Sequence, residues 1–262
     1  MNTFINKETV VKKQASLVNG LIASTREFVN SLDKSEIQTI LLSGSVARGD
    51  YYPGKYGGMV DLTVMKNPGS NILPEQLFGQ DEEPDIPYHC VTVNKVHYQI
   101  LFTEFVDYRL FQTFEEPRKF ALMESVLLWD KDDAYRKELE IIHKYSILDI
   151  KKRLDESIGY IEYLLSEYKI DRWYRRDAFL QLHENLNSSI RIMIQCLFYK
   201  NSVYAPAEDR RLYYSFSLKY VPPKYEELIN RVYAQELASE SDYMRREKLF
   251  RTVFLSFLKE RL

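Results

Sequence analysis

The chain has 262 residues, of which 45% are hydrophobic and 28% are charged. This balance is typical of soluble globular proteins, and the length allows one large domain or two smaller ones. The net charge of -2 lacks the basic excess of proteins that bind long nucleic acid. Long nucleic acid is therefore disfavoured as a partner, and a small substrate is favoured.

The two cysteines and four histidines bear on the redox compartment and on metal binding. Cys90 and Cys196 are too few for a disulfide framework, and the thiols and imidazoles together show no zinc-binding spacing. His97 is interpreted as a structural strand histidine, and His183 as a polar group at the edge of a helical bundle. No apolar run approaches the roughly 18 residues that span a bilayer. These features predict a cytoplasmic protein without membrane contact.

Hydrophobic periodicity in the first half of the chain predicts a mixture of helices and strands. Apolar residues at helical spacing predict a helix from Thr9 to Leu32. Continuous or alternating apolar runs bounded by turn residues predict the strands Ile37–Ser43, Met59–Met65, His89–Phe102 and Ser125–Trp129. Short helices are predicted at Val46–Arg48, Phe105–Phe114 and Pro117–Met123, and irregular segments at Gly49–Gly58 and Asn67–Pro87.

The second half of the chain is predicted to be almost wholly helical. A helix from about Asp133 to Tyr145 leads away from the sheet, and apolar stripes at intervals of three and four residues follow it. The clearest stripe comprises Phe179, Leu182, Leu186, Ile190, Met193 and Leu197. We therefore predict an α+β domain over residues 1–145 and an all-α helical bundle over residues 146–262.

Residues Leu41–Met65 carry the strongest functional signal, with the sequence LLSGSVARGDYYPGKYGGMVDLTVM. A buried strand runs into Gly44–Ser45 and a short helix follows, so that backbone amides there can form a seat for a phosphate. Glycine at such a turn lets the backbone approach a ligand closely. On the next strand, alternation places Asp61 on one face together with Met59 and Thr63. Because aspartate is depleted in strands, this pattern indicates a metal or nucleotide site.

This segment resembles the nucleotidyltransferase superfamily, which includes DNA polymerase beta, kanamycin nucleotidyltransferase and the minimal nucleotidyltransferases. The match to the family's first motif is carried by Gly44, Ser45, Ala47, Arg48 and Gly49. The resemblance implies a mixed sheet with flanking helices, followed by a helical domain, with a nucleoside triphosphate bound in the cleft between the two domains. It implies nucleotide binding by Gly44, Ser45 and Arg48, and a catalytic, Mg²⁺-binding role for Asp61.

The second motif of the family is incomplete in this chain. The family places two acids two residues apart on one strand and a third acid on a later strand. In one register Asp61 is the second acid and Met59 replaces the first; in the other register Asp61 is the first acid and Thr63 replaces the second. Gln99 is predicted to stand in place of the third acid. A structural alternative is that Asp61 only pairs with Arg48 or with loop amides.

Three functions follow from this incomplete motif. Magnesium prefers several hard oxygen ligands, and phosphoryl transfer depends on metal neutralisation of charge, so a nucleotide-binding protein with weakened or lost catalysis is favoured. An active magnesium-dependent nucleotidyltransferase would move a nucleoside monophosphate to a small-molecule or protein acceptor. It would need a replacement acid, for which the candidates are Asp50, Glu104, Asp107 and Asp130. The third possibility is a protein-interaction or antitoxin-like module.

Overall fold

The computed structural model describes residues 7–54, 58–237 and 239–260, with side chains from residue 10 onwards. Residues 55–57 of the predicted loop Gly49–Gly58 lie outside the described residues. The chain divides into two compact units, Met1–Lys144 and Tyr145–Leu262, called unit 1 and unit 2 below. Unit 1 contains a sheet with helices, and the described part of unit 2 consists of helices and their connections. The predicted fold class, α+β followed by a helical region, is confirmed.

Unit 1 is built on a five-stranded mixed sheet. Its strands are β1 (Ile37–Leu42), β2 (Val60–Lys66), β3 (His89–Val93), β4 (Val96–Glu104) and β5 (Val126–Asp130). The spatial order is β3-β4-β2-β1-β5, and all neighbours are antiparallel except β2 and β4, which are parallel. The helices of this unit are α1 (Lys7–Ser31), α2 (Gly44–Arg48), α3 (Pro74–Phe78), α4 (Tyr108–Thr113) and α5 (Glu116–Met123).

One face of this sheet, together with α1, forms the main hydrophobic core of unit 1. The core includes Leu62 of β2 and Ile100 of β4, and the α1 residues Val18, Phe28 and Val29. Each fully buried aliphatic side chain of this kind contributes about 1.5–3 kcal/mol. Because successive strand residues point to opposite faces, the odd-numbered residues of β2 and β4 lie on the other face. The core therefore holds the strands so that polar side chains can occupy that second face.

The segment His89–Phe102 has the strand character predicted from the sequence, but it forms a hairpin of two strands. The strands β3 and β4 reverse at Asn94 and Lys95, whose φ angles are 50° and 68°. Two left-handed residues in succession are typical of a two-residue type I′ turn. The hairpin places Cys90 opposite Gln99. The turn was missed because its sequence lacks the glycine that commonly marks such a turn.

Two further segments of unit 1 differ from the sequence prediction. The helix α2 begins at Gly44, two residues before the predicted helix Val46–Arg48. The predicted irregular segment Asn67–Pro87 contains the one-turn helix α3, which has proline in its first turn. Proline fits there because its fixed φ angle is helical and the first helical N–H has no partner within the helix.

Unit 2 consists of helices joined by short connections. They are α6 (Ala134–Leu164), α7 (Glu167–Tyr174), α8 (Phe179–Lys200), α9 (Glu208–Ser215), α10 (Tyr225–Tyr233), α11 (Glu240–Leu249) and α12 (Ser256–Lys259). The division between the units falls within α6. A π-helical segment, Phe250–Leu255, precedes α12. The predicted stripe of α8 is buried from Leu182 to Leu197. Among the described residues, no helix combines the length and the apolar content required to cross a membrane.

The prediction that His183 lies at a bundle edge is wrong, since its side chain is fully buried in unit 2. Its Nδ1 atom lies 2.5 Å from a guanidinium nitrogen of Arg246, which is also fully buried. Because arginine only donates, Nδ1 must accept and the imidazole must be neutral. The ring of Tyr243 packs edge-on against the imidazole. Burial, and then the charge of Arg246, lower the pKa of His183 below its ordinary value of 6.5.

We expect the stability of unit 2 to fall as the pH falls below about 6.5. The native state holds His183 neutral, whereas the unfolded chain takes up a proton at the ordinary imidazole pKa, so protons favour unfolding. This contribution is fully present above the unfolded pKa and is lost on acidification. Urea denaturation between about pH 8 and about pH 5.5 measures it.

The variant His183→Gln should show a weaker pH dependence than the unmodified chain over this range. The matched control is His143→Gln, which changes an exposed histidine of α6. It should leave the pH dependence unchanged. An unaltered pH dependence in His183→Gln would show that the buried imidazole is not the group responsible.

Candidate functional site

The turn after β1 and the side chain of Asp61 on β2 lie directly against each other. A Cβ atom placed on Gly44 would lie 2.7 Å from the Cγ of Asp61 and still closer to its Oδ2, so only glycine leaves room for this carboxylate. Gly44 also has a φ of 67°, which glycine adopts without steric cost. The backbone N–H of Ser43 donates to the carbonyl of Asp61 at 2.8 Å. The structure thus brings together the Gly-Ser turn and the strand aspartate that the sequence singled out.

Helix α2, which follows this turn, is short. Its N-cap residue is Ser43, whose side chain makes no capping hydrogen bond to the helix. The first amides of a helix have no partner within the helix. With only five residues, α2 has a small macrodipole. Attraction of an anion to this turn would therefore depend on hydrogen bonds from individual amides rather than on the helix as a whole.

Three hydroxyl groups form a chain beside Asp61. The Oγ of Ser125 donates to the carbonyl of Ala121 at 2.7 Å, so towards Ser43, 3.0 Å away, it acts as acceptor. The hydroxyl of Ser43 therefore donates to Oγ of Ser125 and accepts from Oγ1 of Thr63, which lies 3.2 Å away. Thr63 is buried and committed to this chain. This chain of hydrogen bonds links β2, β1 and the end of α5 beside Asp61.

The predicted positions of the missing acids surround Asp61 on two strands. Asp61 and Gln99 are direct partners in the parallel register of β2 and β4, so their side chains leave the same face about 4.8 Å apart. Met59 precedes Asp61 by two residues and is 37% exposed. Thr63, in contrast, is buried and hydrogen-bonded. The solvent-facing neighbours of the carboxylate are therefore Met59 and Gln99.

Arg48 lies in an ion-pair cluster and is itself largely buried. Its Nε atom is 3.6 Å from Oδ1 of Asp50 and 3.8 Å from Oε2 of Glu124. Its side chain is 8% exposed. Two carboxylates thus lie near one guanidinium. The sequence pointed to Arg48 and Asp50 but not to Glu124, which lies 76 residues away from Arg48 in the chain.

The other candidate replacement acids of unit 1 have structural partners or lie far from Asp61. Asp107 caps α4 by accepting from the N–H of Leu110. Asp130 accepts from the first amides of α6. Asp130 pairs with Thr39 of β1, and Thr39 pairs in turn with Met65 of β2. Met65 lies four residues, or about 13 Å, along β2 from Asp61. Glu104 is exposed, and in the register of β4 with β2 it lies opposite Lys66, at the far end of β2.

A second group of potential ligands lies on the same sheet face, towards β3. The side chains of Glu83, Cys90 and His97 present ligand atoms within 4.8 Å of one another. The sequence prediction that the thiols and imidazoles lack zinc-binding spacing misses this group. Cys90 and His97 come together through the hairpin turn at Asn94 and Lys95, which was not recognised. A turn between Cys90 and His97 is the signal that could have revealed it.

A cleft of about 830 Å³ lies within unit 2 and contains none of the predicted site residues. It is lined by α6, the end of α8 and the last described residues of the chain. Lysines and acids both line it, among them Lys151, Lys200, Asp155 and Glu162. This mixture gives no preference for anions or cations.

Comparison with known proteins gives a structural likeness but no match in sequence. No family model and no curated protein matches the chain. Among solved structures, the chain is similar to a nucleotidyltransferase-like protein from Exiguobacterium sibiricum 255-15, at 10% sequence identity. The match covers 93% of this chain and 73% of that chain, with a TM-score of 0.33. At this TM-score and identity no residue role is taken from the likeness.

Proposed function

We propose that the chain is a nucleotidyltransferase-like protein that binds a nucleoside triphosphate with Mg²⁺ at Gly44, Ser45 and Asp61, and that its catalysis is weakened or lost. The observation that carries the proposal is the packing of the Asp61 carboxylate onto the Cα of Gly44. This packing places a hard anionic ligand beside a turn whose amides can bind a phosphate. Asp61 would hold a Mg²⁺ ion there, and the ion would supply positive charge for the phosphate.

The charges around the turn support a role for the metal in nucleotide binding. Asp61 places a carboxylate directly against the turn at Gly44. A triphosphate approaching this turn without a cation would meet the charge of the Asp61 carboxylate. A divalent ion would neutralise the carboxylate and the phosphate together. Arg48, being largely buried, would act by shaping the turn rather than by binding the phosphate directly.

The neighbours of Asp61 favour binding over turnover. Met59 offers a thioether, which is a poor ligand for magnesium, and Gln99 offers an oxygen without charge. Two metal ions about 3.5–4 Å apart are required to hold both the attacking and the leaving oxygen. One carboxylate does not hold two such ions. Asp107, Asp130 and Glu104 have other partners or lie far from Asp61, and Asp50 and Glu124 lie against Arg48. A non-catalytic nucleotide-binding role is therefore the better-supported proposal.

A thermal-shift experiment with each of the four nucleoside triphosphates, with and without Mg²⁺, tests the proposal. At about 100 times the dissociation constant, a bound ligand adds about 2.7 kcal/mol of stability and raises the melting temperature by several degrees. We expect this rise to require Mg²⁺ and to be lost in Asp61→Ala. The control Glu104→Ala removes an exposed acid at the far end of β2 and should retain the rise. Equal responses of Asp61→Ala and the unmodified chain would refute the site.

Restoring an acid tests the loss of catalytic function. Met59→Asp would place a second carboxylate two residues from Asp61 on the same face. It should strengthen the magnesium-dependent shift, because two charged ligands hold the ion better than one. Pyrophosphate release should be undetectable with the unmodified chain under the same conditions. Release by the unmodified chain, abolished by Asp61→Ala, would establish an active transferase instead.

A further inference from the structure

The side chains of Glu83, Cys90 and His97 form a compact group of metal-ligand types that the proposed nucleotide site does not use. Their ligand atoms lie within 4.8 Å of one another. Cys90 is completely buried on β3, and the other two are partly exposed. The segment bearing Glu83 is fixed to β3, because the N–H of Cys90 donates to Oδ1 of Asp81 at 3.0 Å and the carbonyl of Cys90 accepts from Glu82. The group is thus held by backbone contacts as well as by its own side chains.

The hydrogen bonds around His97 determine which ring nitrogen has an available lone pair. The hydroxyl of Thr92 donates to Oε2 of Glu82 at 2.7 Å, so its proton is committed. The same hydroxyl lies 3.1 Å from Nδ1 of His97 and must therefore accept there, which places the imidazole proton on Nδ1. In the neutral ring Nε2 then carries the lone pair.

The Nε2 atom of His97 faces the other members of the group. It lies 3.2 Å from Oε1 of Glu83, is buried and has no aligned hydrogen bond. Oε2 of Glu82 lies 3.6 Å from Nδ1, on the opposite side of the ring. A metal-binding histidine commonly has a carboxylate or hydroxyl oxygen at its other nitrogen, which fixes the ring and its tautomer. Thr92 and Glu82 occupy those positions.

We propose that Glu83, Cys90 and His97 bind a transition-metal ion of the zinc class, with Nε2 of His97, Sγ of Cys90 and a carboxylate oxygen of Glu83 as the ligands. Sulfur and imidazole nitrogen select zinc over magnesium. Binding converts the Cys90 thiol into a metal thiolate and releases its proton to solvent. Zinc–ligand bonds of about 2.0–2.3 Å place tetrahedral ligand atoms about 3.3–3.8 Å apart, so small side-chain movements close the site.

This metal site is distinct from the proposed magnesium site, although both lie on one sheet face. Cys90 pairs with Gln99, and Gln99 pairs with Asp61, so the two sites are separated by two strand spacings, or about 10 Å. Three protein ligands leave a fourth position of a tetrahedral ion open to water or to a bound molecule. The acids Asp81, Glu82 and Glu83 around the thiol supply negative charge that a divalent cation balances.

Cobalt and zinc titrations of the full chain, freed of metal with a chelator, test this proposal without any nucleotide. Co²⁺ should bind at one equivalent and produce a near-ultraviolet thiolate-to-metal absorption band, and one equivalent of Zn²⁺ should remove the band. Cys90→Ser should abolish the band, and His97→Gln should weaken Zn²⁺ binding by at least about 100-fold. Thr92→Val, which removes a contact that orients the ring, should weaken it about 10-fold.

Matched controls for the two ligand types exist elsewhere in the chain. Cys196→Ser changes the buried cysteine of α8, and His143→Gln changes an exposed histidine of α6. Both should bind Zn²⁺ as the unmodified chain does. Binding of Co²⁺ without the thiolate band, in the unmodified chain, would overturn the proposal whether or not the variants fold. So would equal Zn²⁺ affinity in Cys90→Ser and the unmodified chain.

Discussion

Replacement of Arg246 by methionine is expected to destabilise unit 2 by about 2–4 kcal/mol. The guanidinium is fully buried and donates to the carbonyl of Val232 at 2.8 Å, to Nδ1 of His183 at 2.5 Å and to Oδ1 of Asn187 at 2.6 Å. These contacts join α11 to α10 and α8. Methionine fills much of the volume, but it leaves the imidazole and amide acceptors without a donor. Each unsatisfied buried acceptor costs about 1–3 kcal/mol.

The tryptophans allow this loss to be assigned to unit 2. Trp129 lies in β5 of unit 1 and Trp173 in α7 of unit 2. In a Trp129→Phe background, fluorescence during urea denaturation reports unit 2 alone. The control is Arg231→Ala on α10, whose side chain is 58% exposed and pairs with Glu227. It should cost less than about 1 kcal/mol, because exposed ion pairs contribute little.

A loss below about 1 kcal/mol for Arg246→Met would contradict the assigned role of the guanidinium. A second variant distinguishes packing from hydrogen bonding. Arg246→Lys keeps a buried cation of similar length but replaces the planar fork by a single ammonium group, which cannot reach the three acceptors in the same geometry. It should therefore remain less stable than the unmodified chain.

Periodicity predicted most of the fold because it reports directly which side chains are buried. The helix over α1, the central strands and the apolar stripe of α8 were all recognised from the spacing of their apolar residues. The β3–β4 hairpin was not, because its turn depends on two left-handed residues, Asn94 and Lys95, of which only asparagine favours that conformation. His183 was placed at an edge because a polar residue gives no sign of burial when its partner, Arg246, lies 63 residues away.

The structure brings together some residues that the sequence singled out and adds others that it did not. Gly44 and Asp61 were identified from the pattern of one turn and one strand. Gln99 lies beside Asp61 because β4 pairs in parallel with β2. Glu124 and Ser125 reach the same region from the end of α5, for which the local sequence carries no signal. The metal-ligand group depended on the unrecognised turn. Local patterns specify elements, whereas contacts between distant residues depend on how those elements pair.

Substitution of Gly44 by alanine is expected to destabilise unit 1 by about 2–4 kcal/mol and to abolish the magnesium-dependent nucleotide shift. Two separate effects add up here. A left-handed φ of 67° costs an alanine about 1 kcal/mol or more. The new methyl group would also overlap the carboxylate of Asp61, which must then turn away from the site. The nucleotide response should be lost even where folding is retained.

The chain offers a control that separates these two effects. Gly69 has a φ of 77°, and nothing lies within 4 Å of a Cβ atom placed on it. Gly69→Ala should therefore cost only the backbone term, about 1–2 kcal/mol, and should leave nucleotide binding intact. Fluorescence of Trp129 in a Trp173→Phe background reports the unfolding of unit 1.

A double-mutant cycle then measures the overlap itself. In Asp61→Ala the carboxylate is absent, so adding Gly44→Ala should cost no more than Gly69→Ala does. The coupling between Gly44 and Asp61 should be at least about 1 kcal/mol, as for residues in direct contact. Equal costs of Gly44→Ala in the presence and absence of the carboxylate would mean that Asp61 does not rest on this glycine in solution. The proposed pairing of turn and carboxylate would then be wrong, because the close approach of these two groups is what brings the proposed metal ligand to the amides proposed to bind a phosphate.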